Sequence, residues 1–578
     1  MSSTVRYEPH EQPPRLLAFG LGCQQTVLCI AGVVLTPVIV IRIAGQGDPY
    51  LTWAIFAALL VCGVTTVLQA VRLGRIGAGY PMLMGTSGAF IAVCVTALAT
   101  GGPAVLATLV AVSALFQFTL SARLSWLRRI ITPTVAGTVV MLIAVTVMPI
   151  IFDTLVDVPE GTAATAAPVS AAATVLVIAV LTLRATGVLR LWVPVIGLVV
   201  GCVVSSFFGL YDVRAVIEAD WVGVPVQGWP GLDLSFGPAF WALLPAFVFV
   251  TLVGAIETVG DSMAIQKVAW REPRATDFRV VQGAVAADGM GNLLSGLAGT
   301  VPNTTYSTSV AIAELTGVAA RSVGVWIGVL FMAAAFLPKV AAMLLAIPGP
   351  VAAAYVTVLL ALLFVLGMRM VVQDGVDYRK ALIVGVSFWV GAGFQSQAIF
   401  ADQLGEWWGT LLGNGMTSGG LTAIFLTVLM ETTGGRRRRI ETALDTDALP
   451  KIDAFLREFA ARRGLSEGVA ERVRSAGEEA LLSLAGRHDA AGEAAGGRRL
   501  MLKAGGDARQ AELEFVAASG DENLEDVLVL LSKHQPDHPV EHELSLRLLR
   551  HYASSVRHQQ YHGTDIVTVH VDLSPGTG

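Results

Sequence analysis

Charged side chains are scarce in this 578-residue chain: they make up 14% of residues while 54% are hydrophobic, against about 25% charged in an ordinary soluble domain. That deficit excludes a soluble protein over most of the length and implies a membrane protein. Cysteine is equally sparse. Cys23, Cys29, Cys62, Cys94 and Cys202 all lie in apolar runs with no CxxC pairing, which argues against both a disulfide framework and a zinc site. No cleavable leader is expected, because residues 1–15 are polar and the first apolar run is long enough to span without a small-residue cleavage site. The net charge of -5 says little about partners, since the charges are unevenly placed along the chain.

What is abundant is long apolar runs. A bilayer core needs about 20 apolar residues per helix. Windows of that kind occur near 16–41, 52–71, 82–99, 103–121, 132–152, 169–185 and 191–209, and again near 238–264, 279–298, 304–317, 322–343, 349–368, 381–398 and 411–430. This gives an expectation of fourteen spans in two sets of seven. With the N-terminus inside, Arg72, Arg75, Arg123, Arg184, Lys267, Arg271, Arg321, Arg369 and the run Arg436 to Arg439 all fall on the cytoplasmic side, with Arg42, Arg214 and Lys339 as exceptions. Both termini are therefore expected in the cytoplasm, and the chain in the cell (plasma or inner) membrane.

The third and tenth windows open weakly, with "GYPMLMGTSGAFIAV" and "GTVPNTTYSTSVAIAEL". Each is a Pro followed by small hydroxylated residues and a short apolar stretch, at the same place in its set of seven. Such matched interruptions mark inverted-repeat transporters whose broken helices meet at mid-membrane, where free backbone N–H groups and the helix dipole face the site. Pro and Gly that merely kink ordinary spans are the alternative. Acids in neighbouring windows favour the first reading. Glu257 and Asp261, in "AIETVGDSM", share a helix face at i and i+4, and Asp288 sits inside the next window. Carboxylates are costly in lipid and mark substrate or proton paths. No Lys or Arg lies in the nearby spans before Lys267, so proton handling by Glu257, Asp261 and Asp288 is expected.

At these residues the chain resembles the nucleobase-ascorbate transporter family, also called nucleobase:cation symporter-2, which includes uracil, xanthine and urate permeases. The likeness covers about residues 15–432 and rests on "GTSGAFI", "IETVGDSMA", "ADGMGNLLSGLAG" and "PNTTYSTSVAIAELTGVAARSVG". It implies an all-α polytopic fold of fourteen spans as two inverted repeats, with a core domain (spans 1–4 and 8–11), a gate domain (spans 5–7 and 12–14), and a homodimer. It also implies that Glu257 hydrogen-bonds the nucleobase, that Asp261 leans toward purines, and that Asp288 matches a functionally important Asp. Ser87, Gly88, Thr308, Ser309 and Gln25 complete the implied substrate site. The chain departs from the family at several of them. Gln25 stands where many relatives have His, Gly88 where many have Phe, and Thr308-Ser309 where purine types have Gln-Asn, so a larger pocket is expected.

After Met430 the chain turns polar. Residues 433–446 read as a basic linker, 447–578 as a soluble α/β domain, and 1–14 as a cytoplasmic tail. "ERVRSAGEEALLSL" resembles the nucleotide-binding helix of histidine-kinase-like ATPases. Ser483 replaces the Asn expected four residues after Glu479, and "SGDENLEDV" has the wrong glycines for the usual nucleotide loop. A degenerate ATPase-like regulatory domain with a cytoplasmic protein partner is expected.

The expected function is proton-coupled symport of a nucleobase, a purine such as xanthine or urate, with sodium open as the coupling ion. No enzyme activity, metal, other cofactor or nucleic-acid partner is expected. An anion transporter of the sulfate-permease fold, or a membrane sensor signalling through the tail, are the rival readings.

Overall fold

The structure, a computed structural model, describes residues 5–127, 132–272, 274–372, 377–400, 412–433, 438–490, 499–506, 510–517, 541–562 and 564–573, with positions 375 and 409. It divides into two compact units, Met1–Arg271 with Val280–Val428, and Glu272–Arg279 with Leu429–Gly578.

The first unit is mostly helical. Its elements are α1 (Arg15–Ile43), α2 (Asp48–Val71), β1 (Leu83–Thr86), α3 (Ile91–Ala122), α4 (Pro133–Leu155), α5 (Ala166–Arg184), α6 (Leu189–Ser206), α7 (Pro238–Val268), α8 (Phe278–Ala298), β2 (Asn303–Tyr306), α9 (Thr308–Thr316), α10 (Arg321–Ala335), α11 (Pro338–Leu345), α12 (Gly349–Val372), α13 (Tyr378–Gln395) and α14 (Gly415–Thr433). Among the described residues, eight helices are long and apolar enough to cross a membrane, or nine if the sharply bent pair α10 and α11 forms one span. The chain is a multi-pass membrane protein.

Local chemistry sets the boundaries. Thr132 caps α4 by accepting from the Val135 N–H, and Asp377 caps α13 by accepting from Lys380. α9 stops at Gly317, whose φ of 67° is the left-handed conformation that ends helices. α3 is interrupted where Gly102 takes φ 77° just before Pro103, so the helical end of window 82–99, which opens as β1, meets the helix of window 103–121 at a break.

The helices sort by contact. α2 lies against α10, with α1 touching both, and α3 lies against α7, whereas α4 lies against α12 and α13, and α5 against α6 and α12. The α2–α10 crossing is close enough to require glycine on both sides. A Cβ on Gly63 would sit 2.6 Å from the Gly328 carbonyl oxygen, and one on Gly328 would sit 2.5 Å from that of Gly63. Small residues of this kind let membrane helices approach backbone to backbone, where dispersion and lipid entropy supply the association energy.

β1 and β2 form a two-stranded antiparallel ribbon in the register Leu83↔Tyr306, Met84↔Thr305, Gly85↔Thr304 and Thr86↔Asn303. The two weakly apolar windows thus pair with one another through their backbones, which removes the hydrogen-bonding penalty of non-helical chain at that depth. Tyr306 crosses the ribbon and donates its hydroxyl to the Thr86 carbonyl at 2.9 Å. α9 has nine residues, roughly 13 Å at 1.5 Å per residue, less than half of a hydrocarbon core of about 30 Å.

The second unit contains β3 (Arg438–Ala443), α15 (Leu449–Arg462), α16 (Glu467–Ala490), β4 (Arg499–Gly506), β5 (Gln510–Ala517), α17 (Glu541–Tyr552), β6 (Ser555–Tyr561) and β7 (Thr564–Asp572). The strands form an antiparallel sheet in the order β3-β4-β5-β7-β6. Ile452, Phe455, Leu456, Leu481, Leu502 and Phe515 belong to its core. Part of the stretch expected as linker is an edge strand instead: Arg438–Ala443 alternates half-buried and exposed residues, as a one-sided strand requires. Ser483 is wholly buried on α16. The stretch "SGDENLEDV" lies outside the described residues.

Candidate functional site

The α7 sequence carries Gly254, Glu257, Thr258 and Asp261 at i, i+3, i+4 and i+7, a single helical stripe. That stripe faces the ribbon and the start of α3. Thr304 of β2 donates to the Gly254 carbonyl at 3.4 Å, and a Cβ on Gly254 would lie 3.6 Å from the Phe90 ring.

The three acids behave differently. Asp261 has both oxygens occupied: Thr305 donates to Oδ2 at 2.8 Å and Ser307 to Oδ1 at 2.6 Å. Asp288, on α8 and wholly buried, is held by three neighbours. Gln117 Nε2 of α3 donates to its Oδ2 at 2.6 Å, Thr258 of α7 to the same oxygen at 2.8 Å, and Asn292 Nδ2 to its Oδ1 at 3.5 Å. Asn292 also donates to Gln117 Oε1 at 2.9 Å and accepts from the Asn303 N–H at 2.8 Å, which ties the network to the first residue of β2. Glu257 is half-buried and has no hydrogen-bond or ion-pair partner among the described residues. It is the acid left free to meet a ligand.

Gln25 on α1 is 2% exposed with its Oε1 unpartnered. One turn later Cys29 Sγ lies 3.3 Å from Thr308 Oγ1. Ser87 is buried with an unpartnered Oγ, while its N–H donates to the Pro302 carbonyl at 2.9 Å. At Gly88 an added Cβ would find no atom within 4 Å. Ser309 donates to the Tyr306 carbonyl at 2.8 Å, whereas Ser307 and Thr308 at the start of α9 are exposed. Of the residues singled out from sequence, then, Glu257, Gln25 and Ser87 carry free polar groups. Asp261, Asp288 and Ser309 are engaged internally, and Thr308 touches Cys29.

Sequence reasoning missed Gln117, Thr258, Asn292, Thr305 and Ser307. Two of them left a trace: Gln117 is a lone amide in the apolar run "SALFQFTL", and Asn292 follows Asp288 at i+4 on the same helix face.

A ribbon of two short strands leading into half-helices, beside acids buried without a basic partner among the described residues, is the architecture of a multi-pass membrane permease, not of an enzyme. Residues 17–399 match the Permease family of xanthine and uracil type, and the chain belongs to it, among the nucleobase-ascorbate transporters. It is 29% identical over 432 residues to a putative purine permease of Clostridium perfringens, covering 72% of this chain and 91% of that one. It is 27% identical over 447 residues to the xanthine permease XanP of Escherichia coli, covering 74% and 95%. The nucleobase transporter PlUacP of Paenibacillus larvae is 28% identical over 433 residues, covering 73% and 96%. Among solved structures, the anion transporter SLC26A9 shares the fold at a TM-score of 0.50 and 12% identity, over 74% of this chain and 67% of that one.

Proposed function

We propose that this protein is a proton-coupled symporter of a nucleobase, a purine such as xanthine or urate. The observation that carries the reading is the free carboxylate of Glu257, one turn from an Asp261 whose own oxygens are occupied. An ionised carboxylate offers two acceptor oxygens, matched to adjacent ring N–H groups, and charge-assisted bonds of this type are roughly twice as strong as neutral ones. Gln25 and Ser87, each with an unpartnered buried oxygen, supply further contacts to ring edges. The relatives named as purine and xanthine permeases support the substrate class.

In this reading the fourteen spans form two inverted repeats. The group containing α1–α3 and α7–α10 moves as a core against a gate of α4–α6 and α12–α14, with the substrate held beside the ribbon between them. Both termini are cytoplasmic, two copies associate through the gate, and the second unit regulates transport through a cytoplasmic partner. Three carboxylates without a basic partner among the described residues disfavour an inorganic anion such as sulfate as cargo, because an ionised carboxylate repels it and it brings no ring N–H groups for that carboxylate to accept.

The test is uptake of labelled xanthine, urate and uracil into proteoliposomes with and without an imposed pH gradient. Purine accumulation driven by the gradient is expected. Transport of sulfate or bicarbonate in place of nucleobases would replace the reading with the anion-transporter one.

Gly88 offers a second handle. Its open surroundings give a bulky oxidised purine room that a Phe ring would fill. Gly88→Phe is expected to lower purine uptake at least about tenfold, the scale on which a pocket rejects excess bulk, with a smaller effect on uracil. Measured selectivity ratios for the two ligands check this.

A further inference from the structure

Thr305 Oγ1 stands within donating distance of two acceptors, Asp261 Oδ2 at 2.8 Å and Thr258 Oγ1 at 3.4 Å. A hydroxyl carries one proton, so it donates to one or the other. Thr258 in turn donates to Asp288 Oδ2 at 2.8 Å. The result is a continuous line of oxygens, Asp261–Thr305–Thr258–Asp288, running from α7 to β2, back to α7 and on to α8. Its ends differ in access. Asp261 is 8% exposed and bonded to Ser307, which is itself exposed, whereas Asp288 is wholly buried. Around Asp288 stand Gln117, Asn292 and Thr258. The amides offer N–H donors to its carboxylate and have no readily lost proton. Thr258 Oγ1 also lies 3.4 Å from Thr304 Oγ1, but Thr304 leads on only to the Gly254 carbonyl, which cannot release a proton. The titratable group nearest in sequence on the same stripe, Glu257, makes no hydrogen bond to any member of the line.

We propose that Thr305 and Thr258 form a two-hydroxyl proton relay through which Asp288 exchanges its proton with the substrate cavity, Asp261 serving as the port and Asp288 as the store. The inference rests on the proton-coupled reading above. The transfer balances without any other reactant. A proton taken up by Asp261 is donated to Thr305 Oγ1. Thr305 passes its own hydroxyl proton to Thr258 Oγ1, and Thr258 passes its own to Asp288. At each hydroxyl one O–H bond breaks as another forms, and the negative charge moves from Asp288 to Asp261. Thr305 donates to Asp261 while that carboxylate is ionised, turns to donate to Thr258 once Asp261 is protonated, and after the transfer donates to Asp261 again. The longest step of the line, 3.4 Å, is the one this switch closes. Reversal returns the proton by the same path. Storage on Asp288 lets the cavity empty and reorient while the proton is held away from solvent. Thr258 and Thr305 act through the acids and touch no substrate in this scheme, so they are positioning residues.

The experiment compares wild type with Thr258→Val, Thr305→Val, Thr258→Ser and Thr305→Ser in proteoliposomes loaded with xanthine. Two quantities are read: accumulation driven by an inward proton gradient, and gradient-independent exchange of labelled for unlabelled xanthine. The relay predicts that each Val variant, isosteric but without a hydroxyl, loses at least about tenfold in gradient-driven accumulation while exchange stays within about threefold. Each Ser variant, which keeps the hydroxyl, should recover accumulation. Wild type that exchanges xanthine but ignores the gradient would sink the proton-coupled reading and the relay with it. Wild type that responds to the gradient, alongside Val variants that respond equally, would sink the relay alone. Equal loss of exchange and accumulation in the Val variants, unrescued by Ser, would show a purely structural role and also overturn it. If a Val variant fails to fold, Thr258→Ala or Thr305→Ala reads the same two quantities, again against its Ser partner.

Discussion

Glu257→Gln is expected to raise the concentration of xanthine needed for half-maximal uptake at least about 100-fold while leaving the protein folded at wild-type level in the membrane. The size follows from the geometry. Glu257 makes no internal hydrogen bond or ion pair among the described residues, so its loss disturbs nothing in the unliganded protein. In the proposed purine complex its two oxygens accept from ring N–H groups, each bond to a charged group being worth about 1.5–3 kcal/mol. Gln keeps one acceptor, loses the charge, and turns an NH2 toward a ring N–H, donor against donor. A loss of about 3 kcal/mol corresponds to roughly a hundredfold in affinity. Two readouts separate binding from folding: saturable uptake, which should collapse, and the thermal melting temperature in detergent, which should stay within a degree or two. Wild-type uptake by the Gln variant would refute the anchor, and a fallen melting temperature would mean that Glu257 has a structural partner.

This separation of roles among three acids was only half legible in the sequence. Intramembrane carboxylates stand out because so little else is charged, and spacing alone puts Glu257 and Asp261 on one face. Spacing cannot show which of them is free. The groups that occupy Asp261 come from β2 and the start of α9, 44 and 46 residues away, and Gln117 reaches Asp288 across 171 residues. Each donor is an ordinary Thr, Ser or Gln that hydropathy treats as a small blemish in an apolar run. The two interrupted segments were visible as Pro followed by hydroxylated residues. Their pairing as a ribbon, with Gly85 facing Thr304 and Thr86 facing Asn303, needed coordinates, because four-residue strands carry too few alternations to fix a register. In the second unit, the run of four arginines drew attention to charge and hid the alternation that makes Arg438–Ala443 a strand.

The same network explains why polar groups at this depth are tolerated at all. Gln117, Asn292, Thr258 and Asp288 satisfy one another across α3, α7 and α8, and the Asn303 N–H fastens the ribbon to them. A buried polar network specifies one arrangement when complete and is costly when broken. The geometry thus gives the acids complementary duties: Asp288 and Asp261 hold the ribbon in place, and Glu257 is held out beside it.

Asp288→Ala should therefore destabilise the protein more than any substitution at Glu257. Removing the carboxylate strands the Gln117 and Thr258 donors, bonded to Oδ2 at 2.6 and 2.8 Å, and removes the contact with Asn292, which keeps Gln117 Oε1 as its acceptor. A buried polar group left unsatisfied costs about 1–3 kcal/mol, so two such groups and a small cavity give an expected loss of about 3–6 kcal/mol. That is enough to lower the melting temperature by many degrees and to reduce the amount recovered from the membrane. Asp288→Asn distinguishes this from a purely chemical role. Its side-chain oxygen can take the place of Oδ2 and accept from both Gln117 and Thr258. Only its NH2 is misplaced, opposite Asn292 Nδ2 across the longest contact of the three, 3.5 Å. The Asn variant should therefore melt within a few degrees of wild type, yet it has no carboxylate to receive a proton. In the uptake assay it is expected to exchange xanthine and to lose accumulation driven by the gradient. An Asn variant that melts as low as the Ala variant would mean that charge, and not hydrogen-bond satisfaction, holds the network together. An Ala variant as stable as wild type would mean that the network contributes nothing to the fold.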